Sequence, residues 1–329
     1  MKRKVLITGG AGYIGSHVVK RFREESYDLL VLDNFSNGHV DSLLGNPYVR
    51  ADLRDINSID KVFGSFNPDV LVHLASSIEV GESVKNPIEY YENNVVGSLN
   101  LIKIASRYNV KHVIFSSTAA VYGAPSTDFI REESVLHPTN PYGNTKLIVE
   151  RVLRDVAHIA GFSFVSLRYF NAAGADGSGL IGERHDPETH LIPLLLGALG
   201  EGGNSFTVYG TDYSETIDGT CVRDFVHVED LASGHLAALR YLERGGESME
   251  VNLGSGVGFS VREVINTAVQ LTGREVTLLD GGRRRGDPPS LVADVSKARI
   301  DLGWMPEKSS LEQIVKDAWA WHLKLKGMS

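Results

Sequence analysis

An apolar run, Val5-Leu6-Ile7, leads directly into Thr8-Gly9-Gly10-Ala11-Gly12-Tyr13-Ile14-Gly15. Glycines at 9, 12 and 15, between a buried strand and a helix from about Gly12 to Glu25, leave few alternatives. The first allows a sharp turn, the second a close approach to the backbone, and the third tight packing of helix on strand. The helix start supplies unpaired N–H groups and a partial positive charge, which suit phosphates. Asp33 ends the next strand, where a carboxylate can accept from ribose hydroxyls and would repel a 2′-phosphate. The string therefore reads as a dinucleotide site that favours NAD over NADP.

The first half of the chain alternates strands and helices. Strands are expected at Val5–Thr8, Asp28–Leu32, Tyr48–Leu53, Asp69–His73, His112–Ser116 and Phe162–Leu167. Several are unbroken apolar runs, the pattern of a parallel sheet covered on both faces. Asn86-Pro87-Ile88-Glu89 offers an N-cap, a proline at the first helical position and a following glutamate, so a helix should run to about Tyr108. Another should start near Asn140-Pro141, carry Tyr142 and Lys146, and stop at Gly161 after Ala160. Beyond Asn171 the texture changes. Residues 172–203 are rich in Gly, His, Asp and Pro around the apolar stretch Leu191–Leu199. Ser260-Val261-Arg262-Glu263 is a capping box for a helix ending at Gly273, and a last helix should begin near Ser309-Ser310 and run through Trp319. A boundary is placed near residue 175, and no internal repeat is evident.

The net charge of -8 argues against a general nucleic-acid binder. Arg283-Arg284-Arg285 is a local basic cluster suited to a small anion. Cys221 is the sole cysteine, which excludes an intrachain disulfide and suits a reducing cytoplasm; buried filler is its expected role. Met1-Lys2-Arg3-Lys4 is basic, but the apolar run after it is too short for a signal peptide. No segment approaches the ~20 apolar residues of a membrane span.

Tyr142-Gly143-Asn144-Thr145-Lys146 places a phenol and an ammonium four residues apart on one helix face. Lowering a tyrosine pKa from ~10 toward ~7 takes about 4 kcal/mol. A nearby ammonium and an oxidised nicotinamide act in that direction, giving a base able to take an alcohol proton. Thr118, just past the fifth strand, could hydrogen-bond the reacting oxygen. Ser116 and Ser117 read as strand-end packing or caps, and no Gly-x-Ser-x-Gly elbow supports a hydrolase. The eleven histidines contain no His-x-x-x-His pair, so no metal site is expected.

Six strings together resemble the extended short-chain dehydrogenase/reductase family, and within it the nucleotide-sugar 4-epimerases. They are Thr8–Gly15; Val80–Ser83 with Tyr90–Asn94; Ser116–Gly123; Pro141–Lys146; Leu167–Asn171; and Asp218–His227. The resemblance covers nearly the whole chain. It implies an α/β fold with a Rossmann-type doubly wound parallel sheet (residues 1–175) and a smaller α/β domain (176–329) for a nucleotide sugar. The segment near 220–240 is expected to pack back on the first domain.

The resemblance also implies roles. Tyr142 would be the base, Lys146 its charge partner and ribose contact, and Thr118 the second hydroxyl at the sugar. NAD would be lined by Gly9, Gly12, Tyr13, Ile14, Gly15, Asp33, Asn34, Asn37, Asp52, Leu53, Leu74, Ala75, Asn93, Ser116 and Phe170. The UDP-sugar would meet Asn171, His190, Leu191, Thr207, Tyr209 and Leu291, with Arg223 and Arg284 on the diphosphate and Asp287 on the uridine ribose. Arginine forks suit phosphate oxygens. The expected reaction inverts C4 of a UDP-hexose through a 4-keto sugar, in a cytoplasmic homodimer pairing through helices 87–108 and 140–160.

Two departures stand out. Ile78, followed by Glu79, replaces a lysine that touches the cofactor in some relatives. Leu291 replaces a tyrosine that narrows the sugar pocket, so N-acetylated hexoses should also fit. Ala119-Ala120 after Thr118 argue against a 4,6-dehydratase, which needs an acid/base pair there. A decarboxylase or reductase of nucleotide sugars, or a silent NAD(H) sensor, are the remaining alternatives.

Overall fold

The computed structural model describes residues 2–125, 129–200, 205–284 and 287–327. Its first half alternates β1 (Lys4–Thr8), α1 (Tyr13–Glu24), β2 (Asp28–Asp33), β3 (Tyr48–Arg50), α2 (Ile56–Phe66) and β4 (Val70–His73). Short helices α3 (Val80–Lys85) and α4 (Pro87–Tyr90) lead through a π-helical turn, Tyr91–Val96, into α5 (Gly97–Arg107). Then come β5 (His112–Thr118), α6 (Pro141–Ala160) and β6 (Ser163–Tyr169). The second half holds β7 (Asn171–Ala173), α7 (Leu191–Gly200), β8 (Ser205–Tyr209), β9 (Val222–His227), α8 (Val228–Glu243), β10 (Met249–Leu253), β11 (Gly258–Ser260), α9 (Val261–Thr272), β12 (Thr277–Gly281), β13 (Ser290–Leu291) and α10 (Leu311–Leu325).

The main sheet has seven strands in the order β10-β6-β5-β4-β1-β2-β3, all parallel. The apolar runs explain this: Val5, Leu6, Ile7, Val70, Leu71 and Val72 are fully buried, and only helices on both faces can bury consecutive residues of one strand. One face packs on α1 and α8 through Phe22, Leu231 and Leu239. The other packs on α2, α5 and α6 through Phe63, Leu101 and Leu153. Strand order reverses between β1 and β4, which leaves a crevice at their C-terminal ends, the usual ligand position in such sheets.

The structure is an α/β doubly wound parallel sheet, as the strand pattern implied. It also adds a strand, since β10 pairs with β6 (Val251↔Leu167) although it lies far along the chain. The third strand's ladder ends at Arg50 rather than Leu53. The helix expected from Pro87 is interrupted by the π turn, and α3 precedes it. Asn86 makes no capping bond, because its amide donates to Glu82 Oε1 at 2.5 Å instead. The capping box at Ser260 is present, with Gly273 left-handed at the helix end. Cys221 is buried.

Smaller sheets sit beside the main one. Strand β9 joins β7 (Asn171↔Phe225), β11 and β13 (Leu291↔Arg223), and β8 pairs with β12. A separate apolar cluster, including Leu195, Ile265 and Ile314, binds α7, α9 and α10 together.

Candidate active site

The turn after β1 is shaped by its glycines. Gly9 has φ +73° and lies so near Ala75 that a Cβ would come within 2.5 Å of its backbone nitrogen. A Cβ on Gly15 would overlap the Gly9 carbonyl oxygen. One on Gly12 would meet nothing closer than 3.5 Å. Gly9 and Gly15 are thus required by the protein's own packing. Gly12 is not, and its bare backbone faces a cleft. Asp33 lies across from it, its carboxylate accepting from the Ala11 and Phe35 N–H groups at 3.0 and 2.8 Å. Burial pushes its pKa up, against those two hydrogen bonds. A helix N-terminus, an open glycine and a strand-end carboxylate fit the pyrophosphate and ribose of a dinucleotide.

The cleft has a volume of about 380 Å³. Of the residues named from sequence, it is lined by Gly9, Gly12, Tyr13, Ile14, Gly15, Asp33, Asn34, Asn37, Leu53, Leu74, Ala75, Asn93, Ser116, Thr118, Tyr142, Lys146, Phe170, Asn171 and His190. Ile78 also lines it. Asn93 enters from the π turn, a device that re-aims a helical side chain and often marks a functional position.

Tyr142 and Lys146 stand on the first turns of α6, which Asn140 caps by accepting from the Gly143 N–H at 2.9 Å. Thr118 lies near enough to Tyr142 to favour its ionised form. Lys146, 2% exposed, donates to the Ser116 carbonyl at 2.7 Å and to Ser76 Oγ at 2.9 Å. Its ammonium lies 5.9 Å from the Tyr142 ring centre. In the protein alone, without a nicotinamide's positive charge, burial governs the tyrosine. Burial pushes Tyr142 up to about 12, and Thr118 offsets only part of that. Burial likewise pushes Lys146 down to about 7, against the attraction of Glu150. Desolvation acts on both groups more strongly than they act on each other.

Several named residues lie off this cleft. The Asp52 carboxylate accepts from Arg54 Nη2 at 2.7 Å and from Asn34 Nδ2 at 3.2 Å, which holds its pKa well below the usual range. It therefore braces Asn34, which does line the cleft. Leu191 opens α7 and packs on the α7–α10 cluster. Arg223 and Asp287 approach to 3.7 Å, and Arg223 also donates to the Pro288 carbonyl at 2.9 Å. The Arg284 guanidinium lies 4.2 Å from the Tyr209 ring centre, on the strand that carries Thr207. Leu291, paired with Arg223, packs against the cluster of Ala119, Tyr122 and Phe170. These residues form a second group, joined to Asn171 through β9. Arg285 lies outside the described residues.

Sequence reasoning missed Ser76, Tyr169, Glu183 and His185, all of which line the cleft. Ser76 directly follows Leu74-Ala75 and could have been read from that strand end. Glu183 and His185 sit in the Gly/His-rich stretch, whose spacing matches no familiar pattern. There Glu183, His185, Glu188 and His190 converge. His190 is pushed up to about 10 because hydrogen bonds to Glu183 and Glu188 outweigh its burial.

Comparison with known proteins agrees with this geometry. Residues 5–254 match the NAD dependent epimerase/dehydratase family. The chain is similar to the UDP-glucose 4-epimerase of Halalkalibacterium halodurans, with 47% identity over 97% of this chain and 95% of that protein. It is also similar to the crystal structure of UDP-glucose 4-epimerase from Brucella ovis in complex with NAD, with 44% identity, a TM-score of 0.93, and coverage of 96% and 97%. The UDP-Glc/GlcNAc 4-epimerase of Campylobacter jejuni shares 42% identity at TM-score 0.86, covering 98% and 99%. With the glycine turn, the strand-end acid and the tyrosine–lysine pair in place, the chain belongs to the NAD dependent epimerase/dehydratase family.

Proposed function

We propose that this chain is an NAD-dependent isomerase that interconverts UDP-glucose and UDP-galactose by inverting C4. The observation that carries this is Tyr142, beside Thr118 and one helical turn from Lys146, all three on the wall of the dinucleotide cleft. When bound, NAD supplies reversible hydride exchange and a positive ring that favours the phenolate. Tyr142 takes the C4 hydroxyl proton and later returns it. Thr118 holds the same oxygen, and Lys146 supplies positive charge. Arg223 and Arg284 grip the diphosphate, Asp287 the uridine ribose, and Thr207 and Tyr209 the nucleotide. Asn171, His190 and Leu191 contact the substrate between the two groups. The 4-keto sugar turns about the diphosphate linkage, presenting its opposite face, so firm UDP anchoring and a loose sugar pocket serve the reaction.

Residues 1–175 are assigned to NAD and 176–329 to the nucleotide sugar, with α8 and β10 returning to the main sheet. Leu291 supports a pocket wide enough for the N-acetyl sugars as well. We place the protein in the cytoplasm, on the strength of its single cysteine. We also propose a homodimer through the helices within 87–108 and 140–160, where Ile88 and Ile159 are 72% and 88% exposed. Among the described residues, no helix is long and apolar enough to cross a membrane.

The test is to incubate purified protein with UDP-galactose and with UDP-N-acetylgalactosamine and to separate the products. UDP-glucose should form from the first and UDP-N-acetylglucosamine from the second. No conversion of UDP-galactose refutes the assignment, and no conversion of the N-acetyl sugar alone refutes the wide pocket.

A further inference from the structure

Four potential metal ligands meet on the loop before α7, beside the cleft and apart from the tyrosine–lysine pair. They are Glu183, His185, Glu188 and His190, and one donor atom from each lies within 4.8 Å of every other. Two imidazole nitrogens and two carboxylate oxygens form a donor set suited to a borderline divalent ion such as zinc or cobalt. Magnesium and calcium prefer oxygen alone.

The spacing is close to what such an ion needs. With bonds of about 2.1 Å, a tetrahedral site has donor–donor separations of about 3.4 Å. His190 Nδ1 lies 2.8 Å from Glu183 Oε1 and 2.9 Å from Glu188 Oε1. His185 Nδ1 lies 3.1 Å from Glu183 Oε1 and 3.9 Å from Glu188 Oε2. These contacts reach Glu188 through both of its oxygens and run from 2.8 to 3.9 Å, on either side of the required value, so an ion asks the donors to part or close by about half an ångström. The two carboxylates also balance a divalent charge, which matters because Glu183 is only 9% exposed.

The loop is held before any ion arrives. The Glu183 carbonyl accepts from Trp321 Nε1 on α10 at 2.8 Å. Arg184 pairs with Asp41 at 2.6 Å, and its carbonyl contacts His39 Nε2 at 3.1 Å. Glu188 Oε1 accepts from the Thr189 and His190 N–H groups at 2.7 and 2.8 Å, which fixes its direction. The Tyr13 ring stands edge-on to His185, and its hydroxyl donates to the Gly174 carbonyl at 2.6 Å. These contacts hold the loop's backbone and the Glu188 carboxylate in place, so the donor set is partly preorganised.

From this geometry we infer that Glu183, His185, Glu188 and His190 form a four-coordinate site for a divalent transition-metal ion of the zinc class. Three of the four ligands line the cleft, so the ion would pin the loop against the bound nucleotide. The expectation of no metal site came from looking for His-x-x-x-His, a helical spacing. Here the ligands lie on a loop, where helical spacing has no force.

Cobalt(II) is the probe, since it reports coordination number in its visible spectrum. The full-length protein should retain one cobalt ion per chain after dialysis. It should show the intense bands of four-coordinate cobalt and lose them on adding zinc. The near-isosteric Glu188→Gln variant and His185→Ala should both lose ion and bands while keeping the wild-type circular dichroism. His158→Ala, at an exposed histidine on α6, should keep both. No retained cobalt, the weak bands of six-coordinate cobalt, or bands unchanged in Glu188→Gln and His185→Ala would each overturn the site. The readout is the metal alone, so failure here leaves the epimerase assignment standing.

Discussion

At the scale of the residue, the proposed chemistry rests on Tyr142. Tyr142→Phe keeps Lys146 and the fold but removes the proton carrier. UDP-galactose turnover should fall by about 10²–10⁴-fold, with unchanged circular dichroism; turnover within a few-fold of wild type would remove Tyr142 from the mechanism. Its ionisation gives a second test. Burial holds the phenol at about 12 in the protein alone, so it stays protonated across the neutral range. A bound pyridinium adds positive charge and favours phenolate, so NAD must move the titration to lower pH. Near-UV absorbance, with the Tyr142→Phe signal subtracted to remove the other tyrosines, should show this downward shift on NAD loading. An upward shift or none would contradict it. The pair was legible in the sequence because four-residue spacing on a helix fixes a shared face. The sign of the tyrosine shift in the protein alone was not, because it depends on burial that only the folded chain reveals.

Elements set where these residues stand. The first strand, the glycine turn and α1 could be read directly, since an unbroken apolar run followed by three spaced glycines allows little else. Two variants separate packing from binding in that turn. Gly12→Ala meets no protein atom closer than 3.5 Å, so thermal stability should hold while NAD affinity drops. Gly15→Ala drives a methyl into the Gly9 carbonyl, so both should fall. Thermal melting with and without NAD distinguishes them, and equal melting points for the two variants would contradict this division of roles. Beneath the site, Glu150 on α6 forms a fully buried pair with Arg168 on β6 at 2.7 Å and accepts from Ser117 next to Thr118. Glu150→Ala leaves an uncompensated guanidinium and should cost about 3–5 kcal/mol in denaturant unfolding; a loss under about 1 kcal/mol would mean the pair is dispensable. Sequence could not show this partnership, because the two residues meet only when α6 packs against β6. The break in the helix from Pro87 was equally hidden, since the π turn that aims Asn93 at the cleft leaves no mark in residue type.

The whole molecule joins a seven-stranded parallel sheet to smaller sheets beside it, the part proposed to hold the nucleotide sugar. Strand β10 shows why the second half was harder to read. Met249-Glu250-Val251-Asn252-Leu253 carries polar residues that the structure satisfies individually, as when Asn252 accepts from Tyr122 Oη at 2.6 Å. Such a strand has no continuous apolar signal. Within the group around Arg223, Arg284 and Asp287, only the basic run holding Arg284 stood out in the sequence; the others were reached through family likeness, because they lie on separate segments. At this scale the exposed faces of α4 and α6 bear on assembly. An Ile88→Asp/Ile159→Asp double variant should turn a dimer into a monomer in light scattering; a monomeric wild type would refute the pairing. The central claim is that one hydrogen leaves C4 and comes back to C4 on the other face. UDP-galactose carrying deuterium at C4 tests it most directly. The account predicts UDP-glucose that keeps its deuterium at C4, with none released to water, whereas product that has lost the label to solvent would contradict it.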